Sequence, residues 1–131
     1  MNQPDLLARI RLIRSQSIGP ITFRQLLTRF GSAEAALRAV PDLAARGGGR
    51  MPALCTEEQA LREMARVEAL GGRYLSLGQG LYPALLAESD NAPPLLTAMG
   101  DLSLLEKPSV AMVGARNASA AACRFARGLA H

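Results

Sequence analysis

The sequence predicts an α/β architecture in two parts: a small all-helical domain over residues 1–72, then the opening of an α/β domain over 73–131. Three observations point there. Apolar residues recur on a helical spacing up to Gly71-Gly72, and the pattern then shifts to short apolar runs broken by glycine and proline. Near the end, Val110-Ala111-Met112-Val113 empties into Gly114, and a new helical pattern follows at once.

The elements follow in order. Leu6, Leu7, Ile10, Leu12 and Ile13 mark a first helix, with Asp5 near its start where it meets the helix dipole. Ser15-Gln16-Ser17-Ile18-Gly19-Pro20 breaks it. A second helix begins near Thr22 and carries the stripe Phe23, Leu26, Leu27 and Phe30. Gly31 ends it at a left-handed position, and Ser32 caps a third helix bearing Ala33, Ala36, Leu37 and Val40. A separate short helical turn is expected after Pro41-Asp42, through Leu43 and Ala44, and then a flexible Gly47-Gly48-Gly49 stretch leading into a loop through Pro52. Thr56-Glu57-Glu58-Gln59 reads as a capping box, opening a helix that buries Ala60, Leu61, Met64 and Val67.

After Gly72, Arg73–Leu77 reads as a short strand, and a short helix through Leu85 and Leu86 follows Tyr82-Pro83. Pro93-Pro94 forces extended backbone ahead of a second strand at Leu95–Met99, and Leu104 and Leu105 fall in a small helical turn. Val110–Val113 reads as an unbroken apolar strand of the kind found at the centre of a parallel sheet, covered on both faces. The last helix runs from about Ser119 past Leu129, with Phe125, Ala126 and Leu129 inward. A right-handed βα connection must return to a parallel neighbour, and no strand follows His131; the expectation is therefore the front part of a longer protein.

Composition narrows the class. The chain is 49% hydrophobic and 20% charged, with no apolar run long enough for a membrane span. Its first residues lack a basic stretch ahead of an apolar core, so a cytoplasmic location is the expectation. Cys55 and Cys123 are far apart and outside any CxxC pairing, and the single histidine is His131; two reduced thiols and no metal site are expected. The net charge of +4 is uneven: residues 1–50 hold eight arginines against Asp5, Glu34 and Asp42, whereas the remainder is close to neutral. A basic first half suits a polyanion, and it equally suits a solvated face.

The junction Gly114–Ser119 carries the most chemistry. Glycine there permits positive φ and close approach by a ligand's oxygens. Arg116 offers a planar fork matching a phosphate with two parallel hydrogen bonds. Ser119 suits the helix N-cap, and the N–H groups of the first helical turn add to the field. The segment is neither the G-x-G-x-x-G fingerprint nor a P-loop, because Arg116 and Ser119 occupy the later glycine positions and no Gly-Lys-Ser/Thr follows. The plain alternative is a turn, a cap and an arginine paired with a carboxylate elsewhere. Lys107, at the far end of the same strand, is a possible accessory cation or a surface lysine.

A second candidate is the hairpin Ser17-Ile18-Gly19-Pro20-Ile21-Thr22-Phe23, whose N–H groups could point at one phosphate. Pro20 removes a donor, and the nearest cations are Arg14 and Arg24. A domain corner packing Ile18 and Ile21 into the core is the preferred reading. Aromatic content of 4% argues against a broad base-stacking surface.

Taken together, Arg11-Leu12-Ile13, Ile18-Gly19-Pro20, Phe23-Arg24-Gln25-Leu26-Leu27, Phe30-Gly31-Ser32, Tyr82-Pro83-Ala84-Leu85-Leu86, Ala92-Pro93-Pro94-Leu95-Leu96 and Val110–Ser119 resemble the bacterial DNA-processing family DprA, also called Smf, over nearly the whole chain. The resemblance implies a sterile-alpha-motif-like (SAM-like) helical domain leading into a Rossmann-like domain. It also implies single-stranded DNA as ligand, the RecA recombinase as partner in natural transformation, and a homodimer, with no cofactor and no catalysis. Gly114, Arg116 and Ser119 match the family's glycine–arginine–serine positions, and Asn117 lies in the same loop. Ala122 departs from the family's glycine three residues after the serine. Two other functions stay open from the residues themselves: a nucleotide-phosphate-binding enzyme of Rossmann-like fold, and a helical protein-docking module.

Overall fold

The structure is a computed structural model and describes residues 2–47 and 52–130. Four helices form its first part: α1 (Gln3–Arg14), α2 (Pro20–Phe30), α3 (Ala33–Arg46) and α4 (Glu57–Ala69). Each begins where a local signal sets it. The Asn2 side chain accepts from the Asp5 N–H at 2.9 Å, and Ser32 Oγ accepts from the Ala35 N–H at 3.1 Å. Thr56 Oγ1 accepts from the Gln59 N–H at 3.2 Å, while Gln59 Oε1 accepts from the Thr56 N–H at 2.9 Å, completing the reciprocal capping box. Gly31, at φ +78°, ends α2 in the left-handed region that a side chain would strain.

Two expectations about these helices are corrected. α2 starts at Pro20, two residues early, because proline's fixed φ and missing N–H suit the first helical position. α3 runs without a break through Pro41 to Arg46: the proline removes one hydrogen-bond donor, but Val40 and Leu37 stay buried on either side of the lost bond and hold the helix together. Of the expected flexible stretch and loop, Gly48, Gly49, Arg50 and Met51 lie outside the described residues.

The apolar residues of α1 serve two cores. Ala8 and Leu12 join Ile18, Phe23, Leu26, Ala33, Ala36, Leu37 and Val40 in a cluster between α1, α2 and α3. Ile10, about 200° round the helix from Leu12, packs instead with Cys55 and Ala60. α1 is thus the central helix, covered on opposite sides. The returning segment before α4 is stitched to its end: the Gln16 N–H donates to the Ala53 carbonyl at 3.0 Å, the Cys55 N–H to Ser15 Oγ at 3.0 Å, and Arg11 Nε to the Cys55 carbonyl at 3.1 Å.

Strands β1 (Arg73–Ser76) and β2 (Leu95–Ala98) pair antiparallel, Arg73 opposite Ala98 and Ser76 opposite Leu95. Tyr74 and Leu95 pack onto the Ile10 cluster, so the strand pair closes the open side of the helical unit. The connecting loop holds the short helix α5 (Ala84–Ala87) and is pinned by Tyr82, buried, whose hydroxyl donates to the Pro93 carbonyl at 2.8 Å. A 3₁₀ turn follows at Leu102–Glu106, then an irregular run, then α6 (Ala120–Ala130). The fold is a helical region followed by a partial α/β region.

Beyond β2 the expected burial is not found. Val110–Val113 forms no ladder; Val110 and Val113 are 91% and 97% exposed, because among the described residues no strand lies alongside to share hydrogen bonds. Phe125 and Leu129, expected inward, are 71% and 62% exposed for the same want of a sheet to pack on, and Ala126 is half-buried. Two further residues are corrected: Leu61 on α4 and Ile21 on α2 are exposed, each lying to the solvent side of its helix's buried stripe.

Candidate nucleic-acid interface

Gly114 to Ser119 link the apolar run to α6. Ser119 caps that helix, its Oγ accepting from the Ala122 N–H at 3.2 Å and its carbonyl from the Cys123 N–H at 3.0 Å. Ala120 and Ala121 keep N–H groups with no intrahelical acceptor, since helical bonding starts at the fifth residue of the turn. Alanine at 122 therefore leaves the cap intact, and it favours the helix more than glycine would.

A mostly apolar groove of about 750 Å³ lies between this junction and α6; Gly114, Asn117 and Ser119 line it together with Met112, Phe125 and Leu129. Arg116 stands outside the lining, exposed on the turn, and among the described residues it makes no ion pair and no hydrogen bond. The internal carboxylate partner of the plain alternative is absent there. Gly114 does not use positive φ, and a methyl group added to it would meet no atom within 4 Å. Neither strain nor packing calls for glycine at this position.

The accessory cations are not gathered around this groove. Arg14 bridges α1 to α4, its Nε and Nη2 donating to the two oxygens of Glu63 at 2.9 and 3.0 Å. The Tyr74 hydroxyl donates to the same carboxylate at 3.3 Å, so one acid ties α1, α4 and β1 together. Arg24 donates to the Asp90 carbonyl and anchors the β1–β2 loop to α2. Lys107 lines a different groove, with Tyr82, Pro83 and Pro108. At the α1–α2 hairpin, Ile18 is buried and the Phe23 N–H bonds the Gly19 carbonyl at 2.9 Å, as a packed domain corner requires.

Sequence reasoning missed Glu63 and Tyr74, since nothing in the local spacing links them to Arg14. Their titration gives a test. The Arg14 hydrogen bonds hold the Glu63 carboxyl below its ordinary 4.5. Burial, and then the Glu63 carboxylate, push the Tyr74 phenol up from 10.0 to about 12. Glu63 therefore stabilises the fold above about pH 4.5 and ceases to do so as pH falls through its lower folded value. Tyr74 contributes fully below pH 10.0 and loses its contribution as pH rises towards 12. Because Arg14 is half-exposed, Glu63→Gln is expected to cost only about 1 kcal/mol near pH 7. Urea melts from about pH 3 to 7 should show that deficit shrinking as the parent's own Glu63 is protonated; an equal deficit at both ends would refute the assignment.

Among the described residues, no group of three or more metal-ligating side chains converges, and no helix is long and apolar enough to cross a membrane. Cys55 is buried, Cys123 is exposed, and both are free thiols.

No curated protein matches the chain. Two family models do, one after the other: the DprA-like N-terminal HHH domain over residues 3–65 and DNA recombination-mediator protein A over residues 73–131. The first spans α1 to most of α4; the second begins on β1 and takes in the junction and α6. With both models in that order along nearly its whole length, the chain belongs to the DprA family of DNA recombination mediators.

Proposed function

We propose that the chain binds single-stranded DNA through its phosphate backbone at the Gly114–Ser119 junction and delivers it to the RecA recombinase, as a cytoplasmic homodimer without cofactor or catalysis. The observation that carries this reading is the state of Arg116: an exposed guanidinium with no internal partner among the described residues, on the turn that leads into the N-terminus of α6. A fork of donors beside unpaired helix N–H groups and a side-chain-free Gly114 matches one phosphodiester. Residues 107–131 contain no Asp or Glu, so the segment itself sets no repelling carboxylate beside a strand laid there. That same stretch lacks a paired-acid arrangement for hydrolysis, which favours binding over a nucleotide-processing enzyme.

Arg116→Ala is expected to weaken binding about 10- to 100-fold, the range for a charge-assisted hydrogen bond, and to do so alike for oligonucleotides of unrelated sequence. Fluorescence anisotropy at fixed ionic strength with a thymidine homopolymer and a mixed-sequence strand provides the check. Unchanged affinity would remove the junction from the interface. Saturable binding of a mononucleotide, indifferent to oligonucleotide length, would support the enzyme reading instead.

A further inference from the structure

α6 has two unlike faces. At about 100° per residue, Phe125 and Leu129 lie close together on one side, and Arg124 and Arg127 lie close together on the opposite side. Both arginines are exposed, and among the described residues neither makes an ion pair or a hydrogen bond. Elsewhere the exposed helical arginines Arg38 and Arg62 each pair with a glutamate four residues earlier, Glu34 and Glu58, whereas Arg29, Arg46 and Arg66 have no ion pair among the described residues, the last two on helices that carry acids. Residues 107–131 contain no Asp or Glu, so neither arginine of α6 has an acid within its own segment. The cations of this segment are therefore a local field, not one half of a surface ion-pair lattice.

Their positions also form a series. Arg116 stands on the turn before the helix; Arg124 and Arg127 lie about 7.5 Å and 12 Å along the axis from the Ser119 cap. We infer that a bound single strand continues from the junction along the outer face of α6, with Arg124 and Arg127 taking further phosphates. The inference rests on the junction being a single-stranded DNA site. It adds a direction for the strand and two contacts that the glycine–arginine–serine segment does not include. Phe125 and Leu129 line the groove on the other side of α6, so the track runs from Arg116 over the face turned away from that groove, and packing against the apolar face leaves Arg116, Arg124 and Arg127 open.

The measurement is the salt dependence of binding. Each phosphate neutralised on a single strand contributes about 0.7 to the slope of log K against log[salt]. Arg124→Ala/Arg127→Ala in the intact chain is expected to lower that slope by about 1.4, and alanine supports the helix at both positions. Arg38→Ala/Arg62→Ala removes the same charge from α3 and α4 and is expected to leave the slope near the parent's. If the α6 double variant keeps the parent's slope while Arg116→Ala weakens binding, the track is wrong and the junction stands. If both double variants lower the slope equally, the effect is one of net charge and the track is again wrong. If the parent does not bind single strands, the junction reading fails as well.

Discussion

Phe23→Ala is expected to remove about 3–5 kcal/mol of stability, the largest loss of any single truncation considered for this chain. Phe23 is almost wholly buried, at the centre of the cluster where α1, α2 and α3 meet, with Leu12, Leu26 and Leu37 in the same cluster. Those neighbours sit on three helices whose ends are fixed by caps, so they cannot collapse into the space that a lost ring leaves. A small domain has only about 5–15 kcal/mol in total, and the variant should approach the edge of folding. Urea denaturation followed by far-ultraviolet circular dichroism gives the midpoint. A loss below about 1 kcal/mol would mean that the hairpin is not held by this core.

Ile10→Ala should cost about 2–5 kcal/mol, and its local consequence differs. Ile10 is fully buried among Cys55, Ala60, Tyr74 and Leu95, where α1, α4, β1 and β2 converge. Emptying that point loosens the attachment of the strand pair to the helices while the Phe23 cluster stays filled. The two thiols report it directly. Cys123 is exposed and should react with a thiol reagent at once, whereas Cys55 is buried and reacts only when its surroundings open. In the parent the titration should show one fast and one slow thiol, the slow one further restrained because burial raises its pKa. Ile10→Ala should bring the second phase forward by roughly the destabilisation measured, about tenfold for each 1.4 kcal/mol. An unchanged slow phase would show that the strand pair is held in some other way.

The same two residues show how far a linear reading reaches. Phe23 belongs to a stripe at helical spacing, and its burial follows from that spacing. Ile10 belongs to an apolar set, Leu6 to Ile13, that reads as a helix; its division between two cores depends on what stands on each side of α1. Pro41 illustrates the opposite case: a residue that ordinarily ends a helix is carried through because its neighbours are buried. Arg14 looks in sequence like a cation available to DNA, yet its guanidinium is engaged by Glu63, a residue 49 positions away. At the candidate site, Gly114, Asn117 and Ser119 line one groove, and Arg116 stands beside it in the open.

Short-range chemistry sufficed for the helix caps at Ser32 and Thr56, the left-handed stop at Gly31, the change of pattern at Gly72 and the junction before α6, because each depends on residues within a few positions of one another. Three-dimensional contacts were needed for the antiparallel pairing of β1 with β2, the central place of α1, the Arg14–Glu63–Tyr74 tie and the exposure of Val110–Val113. Burial and pairing depend on which surfaces arrive from distant parts of the chain, and an apolar run has the same spelling whether or not a neighbour comes to cover it.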